Sequence, residues 1–458
     1  MNKIHMHIAS KVILLILFFI AVSSFTVAPK IYNIKNYGAK GDSLTINTSA
    51  IQKAIDKCAK NGGGIVLIKQ GIFISGTLLL KDNVNLQIDE SAKLVGSSNP
   101  QDYVSIDTFT DAVGQERGTC LIGAVNASNI SITGKGVIDG NGSAFLAKNL
   151  KLKKKVLRIN DDTFGRNRPF LLRFVKSNEI TLTGVTLREA AAWACHFYQS
   201  QNILVDQVTI YNHANKNNDG IDLDSSHDVI IKNCNIDSGD DAICIKSTSP
   251  LPTYNVQVSN CTLKSDWGAI KFGTESMGDF YNVAIRDCTI YDTKGGGIKI
   301  LSVDGANIHD ITIEDITMTD VDMPIFIRLG ERLNNYRNAE KQAVGSIDKV
   351  IIKNIQASTR STENSRVAPP SGILITGTPN HKIGRLTLKN IAITLPGGGV
   401  LSDISEVPED ETRYPEFSFF KVLPAYGMYA RHIKELQMEA LAFKTTLPEQ
   451  RPELLIQE

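Results

Sequence analysis

The sequence carries no surplus of charge of either sign: over 458 residues, 49 Lys and Arg stand against 48 Asp and Glu. That balance removes a globally basic nucleic-acid-binding surface and a strongly acidic domain, so any recognition by charge has to be local. There is no CxxC pair and no Cys/His spacing of a metal centre, so no zinc site can be assembled from adjacent motifs. The runs "NGGG" and "KGGG" lack the context of a phosphate loop and read as turns. No cofactor and no metal is expected. Long apolar runs are also scarce. The one candidate, Val12 to Val22, is eleven residues long, short of the ~20 that a membrane helix needs.

That run has Lys3 and Lys11 before it and Ser23 and Ser24 after it, the layout of a secretory signal peptide. We expect residues 1–24 to be a leader with an approximate cleavage position and 25–458 to be a single domain. The mature chain is expected to have no membrane span and to be exported to the periplasm or beyond. It is further expected to be monomeric and without a nucleic-acid partner. Seven Cys are present, an odd count that leaves at least one unpaired in an exported protein. Cys234, Cys261 and Cys288 recur at one phase of a 27-residue spacing and read as small core residues rather than disulfides or metal ligands.

The same spacing organises most of the chain. "QNILVDQVTI", "HDVIIKNCNI", "YNVQVSNCTL", "YNVAIRDCTI" and "HDITIEDITM" share one pattern: a polar residue, alternating apolar positions, a two-residue polar break and a second apolar run. Ile203 recurs as Val229, Val256, Val283 and Ile311, at spacings of 26, 27, 27 and 28. Period-two patterning within such a repeat predicts an all-β solenoid of short stacked strands. One helix is predicted in "NTSAIQKAIDKCAKNGGG", capped by Thr48 or Ser49, with Ile51, Ala54, Ile55 and Cys58 on one face and Gly62 as terminator. Placed before the first strands, it would cover the open end of the stack. The lysine-rich "KNLKLKKKVLR" reads as an exposed loop that could border an anionic-substrate cleft.

Against this background the segment 217–247 is unusual, because it gathers Asp219, Asp222, Asp224, Asp237, Asp240 and Asp241. Asp219 and Asp240 are 21 residues apart, close to one coil, so they are expected on neighbouring rungs about 4.8 Å apart. Gly239 would let Asp240 and Asp241 both face outward. Clustered carboxylates raise at least one pKa, which suits glycosidic hydrolysis, where one acid protonates the leaving oxygen and a carboxylate directs water. The other reading of the trio is a calcium cage or turn caps. Asp222, Asp224, Asp228 and Asp237 are expected to cap turns.

"NNDGID", "SGDDAICIKS" and "KGGGIKI", in that order after "NYGAKGDSLTINTSAIQKAI", resemble glycoside hydrolase family 28, the polygalacturonases and rhamnogalacturonases, from about Ile31 onward. The resemblance implies a right-handed parallel β-helix with an N-terminal capping helix. It also implies an inverting hydrolase of pectic polysaccharide or oligosaccharide, with Asp240 as general acid and Asp219 and Asp241 holding the water. Asn217 and Lys299 match substrate-binding positions. Two positions depart from the family pattern: Trp267 stands where a His is usual, and Gly297 where an Arg is. A galacturonate clamp is thereby lost, and rhamnogalacturonan, decorated pectin or short oligosaccharides become the favoured substrates. Lys271, Arg328 and Arg332 are candidates to replace the clamp, Trp267 to stack on a sugar, and Trp193 and His196 to line the cleft or pack in the core. The alternatives are a calcium-dependent pectic lyase and a non-catalytic carbohydrate-binding solenoid.

Overall fold

The computed structural model describes residues 29–458, and the expected leader lies outside them. Successive coils stack in parallel register along one axis, forming a right-handed parallel β-helix. Ile203, Val229, Val256, Val283 and Ile311 pair in turn and are all buried, so the period read in the sequence is one coil. Burying each such column on both neighbours is what holds an otherwise one-dimensional stack together.

Among the described residues a 21-stranded sheet wraps two sides of the coil, and a thirteen-stranded sheet forms the third. In later coils one long strand, such as Phe280–Thr293 or Asn307–Val321, runs across the first two sides. The polar break within it is the corner. Asn233, Asn260, Asp287, Asp315, Asn354 and Asn390 all have φ between +52° and +57°, the left-handed region that Asn and Asp tolerate best among residues with a Cβ. Their side chains also bond rung to rung, as in Asn260 Nδ2 to Asn233 Oδ1 at 2.7 Å.

The third sheet positions the site. We number its relevant strands in chain order: β1 Ser105–Thr110, β2 Glu116–Val125, β3 Phe170–Val175, β4 Cys195–Tyr198, β5 Ile221–Asp224, β6 Ile243–Ser247, β7 Ile270–Ser276, β8 Ile298–Ser302, β9 Ile325–Leu329, β10 Ile373–Thr376 and β11 Met428–Arg431. All pair in parallel except β1, which folds back antiparallel on β2 as a hairpin. Alternation sends Ile221, Ile243, Ile270 and Ile298 into the core. It turns Asp222, Cys244, Lys271 and Lys299, which are register partners, to the outer face.

Helix α1, Thr48–Lys60, buries the four apolar residues expected of it. Its N-cap position is Asn47, one residue before Thr48 and two before Ser49. It also does not precede every strand. Ile31–Asn33 and Asp42–Ile46 come first and pair with strands that follow the helix, so α1 closes the first coil from within the chain. The lysine-rich segment is a second correction: Ala147–Leu157 is helix α2, not a loop. Only Leu150 of it is buried. Its Ala, Leu and Lys content favours helix whatever the exposure. All seven Cys are free thiols in buried positions, and Cys234, Cys261 and Cys288 each donate Sγ–H to the carbonyl two residues earlier.

Candidate active site

The turn that enters β5 is built from side-chain amides. Asn212 Oδ1 accepts from Ala190 N at 2.8 Å and Asn218 Nδ2 at 3.0 Å, while Asn212 Nδ2 donates to Asp219 O at 3.0 Å. Asn217 sits at φ +53°. Its Oδ1 receives Arg117 Nη2 at 3.0 Å and Arg168 Nη2 at 2.8 Å. An oxygen is the only amide atom that can accept from two guanidinium groups, so the amide's orientation is set and Nδ2 faces the other way.

At the next coil the segment Ser238–Asp241 is held by hydroxyls. Ser238 Oγ and Ser265 Oγ both donate to Asp240 O, at 2.6 and 2.7 Å, and Asp241 N donates to Asp240 Oδ1 at 3.0 Å. Gly268 of the following coil donates its N–H to Asp241 Oδ1 at 3.1 Å. A Cβ there would stand 2.9 Å from that oxygen and 3.0 Å from Lys299 Cδ, so the close approach requires glycine. Asp241 Oδ2 takes Lys271 Nζ at 2.6 Å.

Asp219, Asp240 and Asp241 do converge, with one oxygen of each within 4.8 Å of the others. Their register differs from expectation. Ile221 pairs with Ile243, which sets Asp219 beside Asp241, while the Asp240 N–H reaches Asn218 O. Asp219 and Asp241 are buried, at 3% and 2% exposure, whereas Asp240 is half-buried at the rim. Together with Asn217 and Lys271, the trio lines an open recess of about 40 Å³.

The electrostatics are dense. Lys246 Nζ lies 3.0 Å from Asp222 Oδ1, 3.5 Å from Asp219 Oδ2 and 3.7 Å from Glu275 Oε2, and 3.8 Å from the centre of the Trp193 ring. Burial, then the Asp222 charge, raises the Asp219 carboxyl well above the usual range. Burial, then Asp219 and Asp241, does the same for Asp240. Burial pushes Asp222 up to about 7. Burial alone would lower Lys246 and Lys271, but Asp222 beside the first and Asp241 beside the second overcome it and raise both ammonium groups well above their ordinary value. The trio's oxygens are close enough to ligate a cation, yet these ammonium groups already supply the counter-charge that a cation would bring.

Other expected residues are placed differently. Asp222 and Asp224 cap no turn. Both are buried on the outer face of β5, and Asp224 accepts from Thr248 N and Oγ1 at 2.7 and 2.6 Å. Asp228 and Asp237 lie within strands, bonded to Asn255 and His213. Lys299 is 0% exposed and bonded to Glu416. Arg328 spends its donors on Thr376, Gly377 O and Glu409 O, and Arg332 on Asp304 and Thr274 O. Trp267 is half-buried, with the Arg366 guanidinium 4.1 Å from its ring centre and Lys299 Nζ 5.7 Å away. Trp193 is buried beside the recess that it helps to line. His196 lies beneath, between Arg173 and Asp224. Burial brings His196 down to about 4, so it is neutral. A side chain at Gly297 would meet Met318 Sδ at 2.7 Å and Pro324 O at 2.8 Å, so that position points into the coil.

Sequence reasoning missed Lys246, Glu275, Arg117, Arg168, Tyr414 and Glu416. A signal existed for Lys246: alternation in "ICIKS" turns Cys244 and Lys246 outward, beside Asp222 and Asp224 of "IDLD". Glu275 lies in β7 itself, and the others arrive on loops and a hairpin outside the repeat.

The family model for glycosyl hydrolases family 28 matches residues 73–412. An exo-poly-alpha-D-galacturonosidase of Dickeya chrysanthemi is 31% identical over 255 residues, covering 48% of this chain and 42% of that one. The chain spans about half the length of the curated relatives it matches, from 42% to 53% across the first of them. Among solved structures, a hyperthermoactive exopolygalacturonase from Thermotoga maritima has a TM-score of 0.69 at 21% identity, covering 91% of this chain and 93% of that one. PfbA, a surface adhesin of Streptococcus pneumoniae, has a TM-score of 0.58 at 17% identity, covering 93% of each chain. At those identities the likeness is one of fold, and the same fold serves an adhesin.

Proposed function

The chain belongs to glycosyl hydrolases family 28, and on that premise we propose that it hydrolyses glycosidic bonds in a galacturonic-acid-containing pectic glycan. The observation that carries the reading is the convergence of Asp219, Asp240 and Asp241 beside two buried lysines, an arrangement that a purely adhesive surface has no use for. Asp240 is the general acid: it is half-open to the groove, and its proton is retained by burial and by its charged neighbours. It gives that proton to the glycosidic oxygen as the bond to the anomeric carbon breaks. Asp219 and Asp241 hold the attacking water, and Asp241, paired with Lys271, takes up its proton.

We infer inversion. Both Asp241 oxygens are engaged, by Gly268 N and by Lys271 Nζ, which suits orienting water rather than attacking carbon. Nearest-oxygen distances within 4.8 Å lie below the ~6.5–9.5 Å usual for an inverting acid and base, so the stereochemistry rests on this engagement and not on spacing. Asn217 Nδ2 and Lys271 are the groups placed to meet substrate. With position 297 turned inward, Lys299 paired to Glu416, and Arg328 and Arg332 engaged elsewhere, no free guanidinium fork faces the trio among the candidates weighed. A substrate with a neutral or branched residue beside the cleaved bond, as in rhamnogalacturonan or decorated pectin, follows. The residues of 1–24 support export.

The test is product analysis on polygalacturonate, rhamnogalacturonan oligosaccharides and small galacturonides, with anomeric configuration followed by NMR. Saturated sugars of inverted configuration, formed faster from the rhamnose-containing substrate, are expected. Calcium-dependent release of unsaturated products that absorb in the ultraviolet would replace this reading with a lyase.

A further inference from the structure

Two apolar clusters lie on the outer face of the groove sheet, outside the coil core. In the first, Ile106 and Phe109 of the β1–β2 hairpin pack on Phe170, Trp193 and Tyr198 and cover the outer face of β3 and β4. In the second, Val407, Phe417 and Phe420 pack on Leu301, Phe326 and Leu374 and cover β8 to β10. Neither plug contains a residue of β5, β6 or β7, so these three strands lie between them, a length of about 10 Å from two strand spacings of ~4.8 Å.

A third wall closes the side where these strands end. Arg337 Nη1 binds Asp107 at 2.6 Å and Arg337 Nε binds Thr248 Oγ1 at 2.9 Å. The Arg337 guanidinium also lies over the Tyr198 and Phe109 rings, at 3.6 and 4.3 Å. Ala112 N at the hairpin tip reaches Glu275 Oε1 at 3.2 Å, and Tyr414 Oη meets Thr274 Oγ1 at 3.3 Å. The half-buried rim residues Asn217, Asp240 and Trp267 lie on the remaining side, where the strands begin.

We propose that the site is a blind pocket that accepts the end of a glycan chain, so that the protein removes short units from a terminus and does not cut internally. The inference rests on the hydrolase reading above. A chain that ran on past the trio in either direction along the axis would have to displace a packed apolar cluster and expose its buried side chains to water. The walls are therefore part of the fold and not side chains that swing aside.

The test uses the full chain on long polygalacturonate and on long rhamnogalacturonan, recording reducing ends, viscosity and product length together. Terminal action predicts one short product from the first time point, with viscosity nearly unchanged while reducing ends rise. A ladder of intermediate lengths with an early fall in viscosity would overturn the blind pocket and leave the hydrolase reading standing. No release from any substrate would overturn both. In the folded variant Arg337→Ala, which unlatches the side wall, intermediate products are expected to rise several-fold.

Discussion

Lys271 Nζ stands 2.6 Å from Asp241 Oδ2, and both side chains are buried. Removing one partner strands a buried charge, whereas removing both does not. Lys271→Met is expected to lose roughly 3–5 kcal/mol of stability, and the double variant with Asp241→Asn is expected to regain much of that loss. Denaturant unfolding of the four proteins checks it. Lys271→Met with wild-type stability would show that the pair does not hold the site.

The outer-face carboxylates predict how stability varies with pH. Burial lifts Asp222 to about 7, above the ~3.9 of an exposed Asp. Between those values the folded chain keeps a proton that the unfolded chain releases. The unfolded state then binds fewer protons, so stability falls as pH rises through that window. Asp219 and Asp240 are raised too and act with the same sign. Lys246 faces Asp222 at 3.0 Å, and the charges of Asp219, Asp241 and Glu275 also act on it. Asp222→Asn should flatten the decline in Tm between about pH 4 and 7, and an unchanged slope would contradict the assignment.

The seven thiols give a third prediction. Each is buried and free, so a thiol reagent should find essentially none in the native protein and seven after denaturation. Reductant should leave Tm unchanged. Fewer than seven thiols in the denatured, unreduced protein would reveal a disulfide.

Much of the fold was legible because a solenoid repeats its instructions. The Ile203 column appears as a period, and the polar breaks appear as Asn or Asp wherever the corner needs positive φ. The trio was legible for the same reason, since it sits one coil apart. Its pairing was misassigned because the coil from β5 to β6 is 22 residues between Ile221 and Ile243, and a one-residue change in register exchanges Asp240 for Asp241. Arg117, Tyr414 and Glu416 were not legible. They reach the groove from a hairpin and a long segment that obey no period, and their contacts with Asn217, Thr274 and Lys299 span 100 to 140 residues of chain. The helix α2 was missed because its charge was weighed above its propensity.

The most direct measurement is the turnover of Asp240→Asn beside wild type on a pectic oligosaccharide that wild type cleaves, with unfolding curves to show that both are folded. The substitution keeps shape and hydrogen bonding and removes the donated proton. The account predicts that turnover falls by ~10²-fold or more with the fold intact. Turnover equal to wild type in the folded variant would contradict the assignment of Asp240 as the acid.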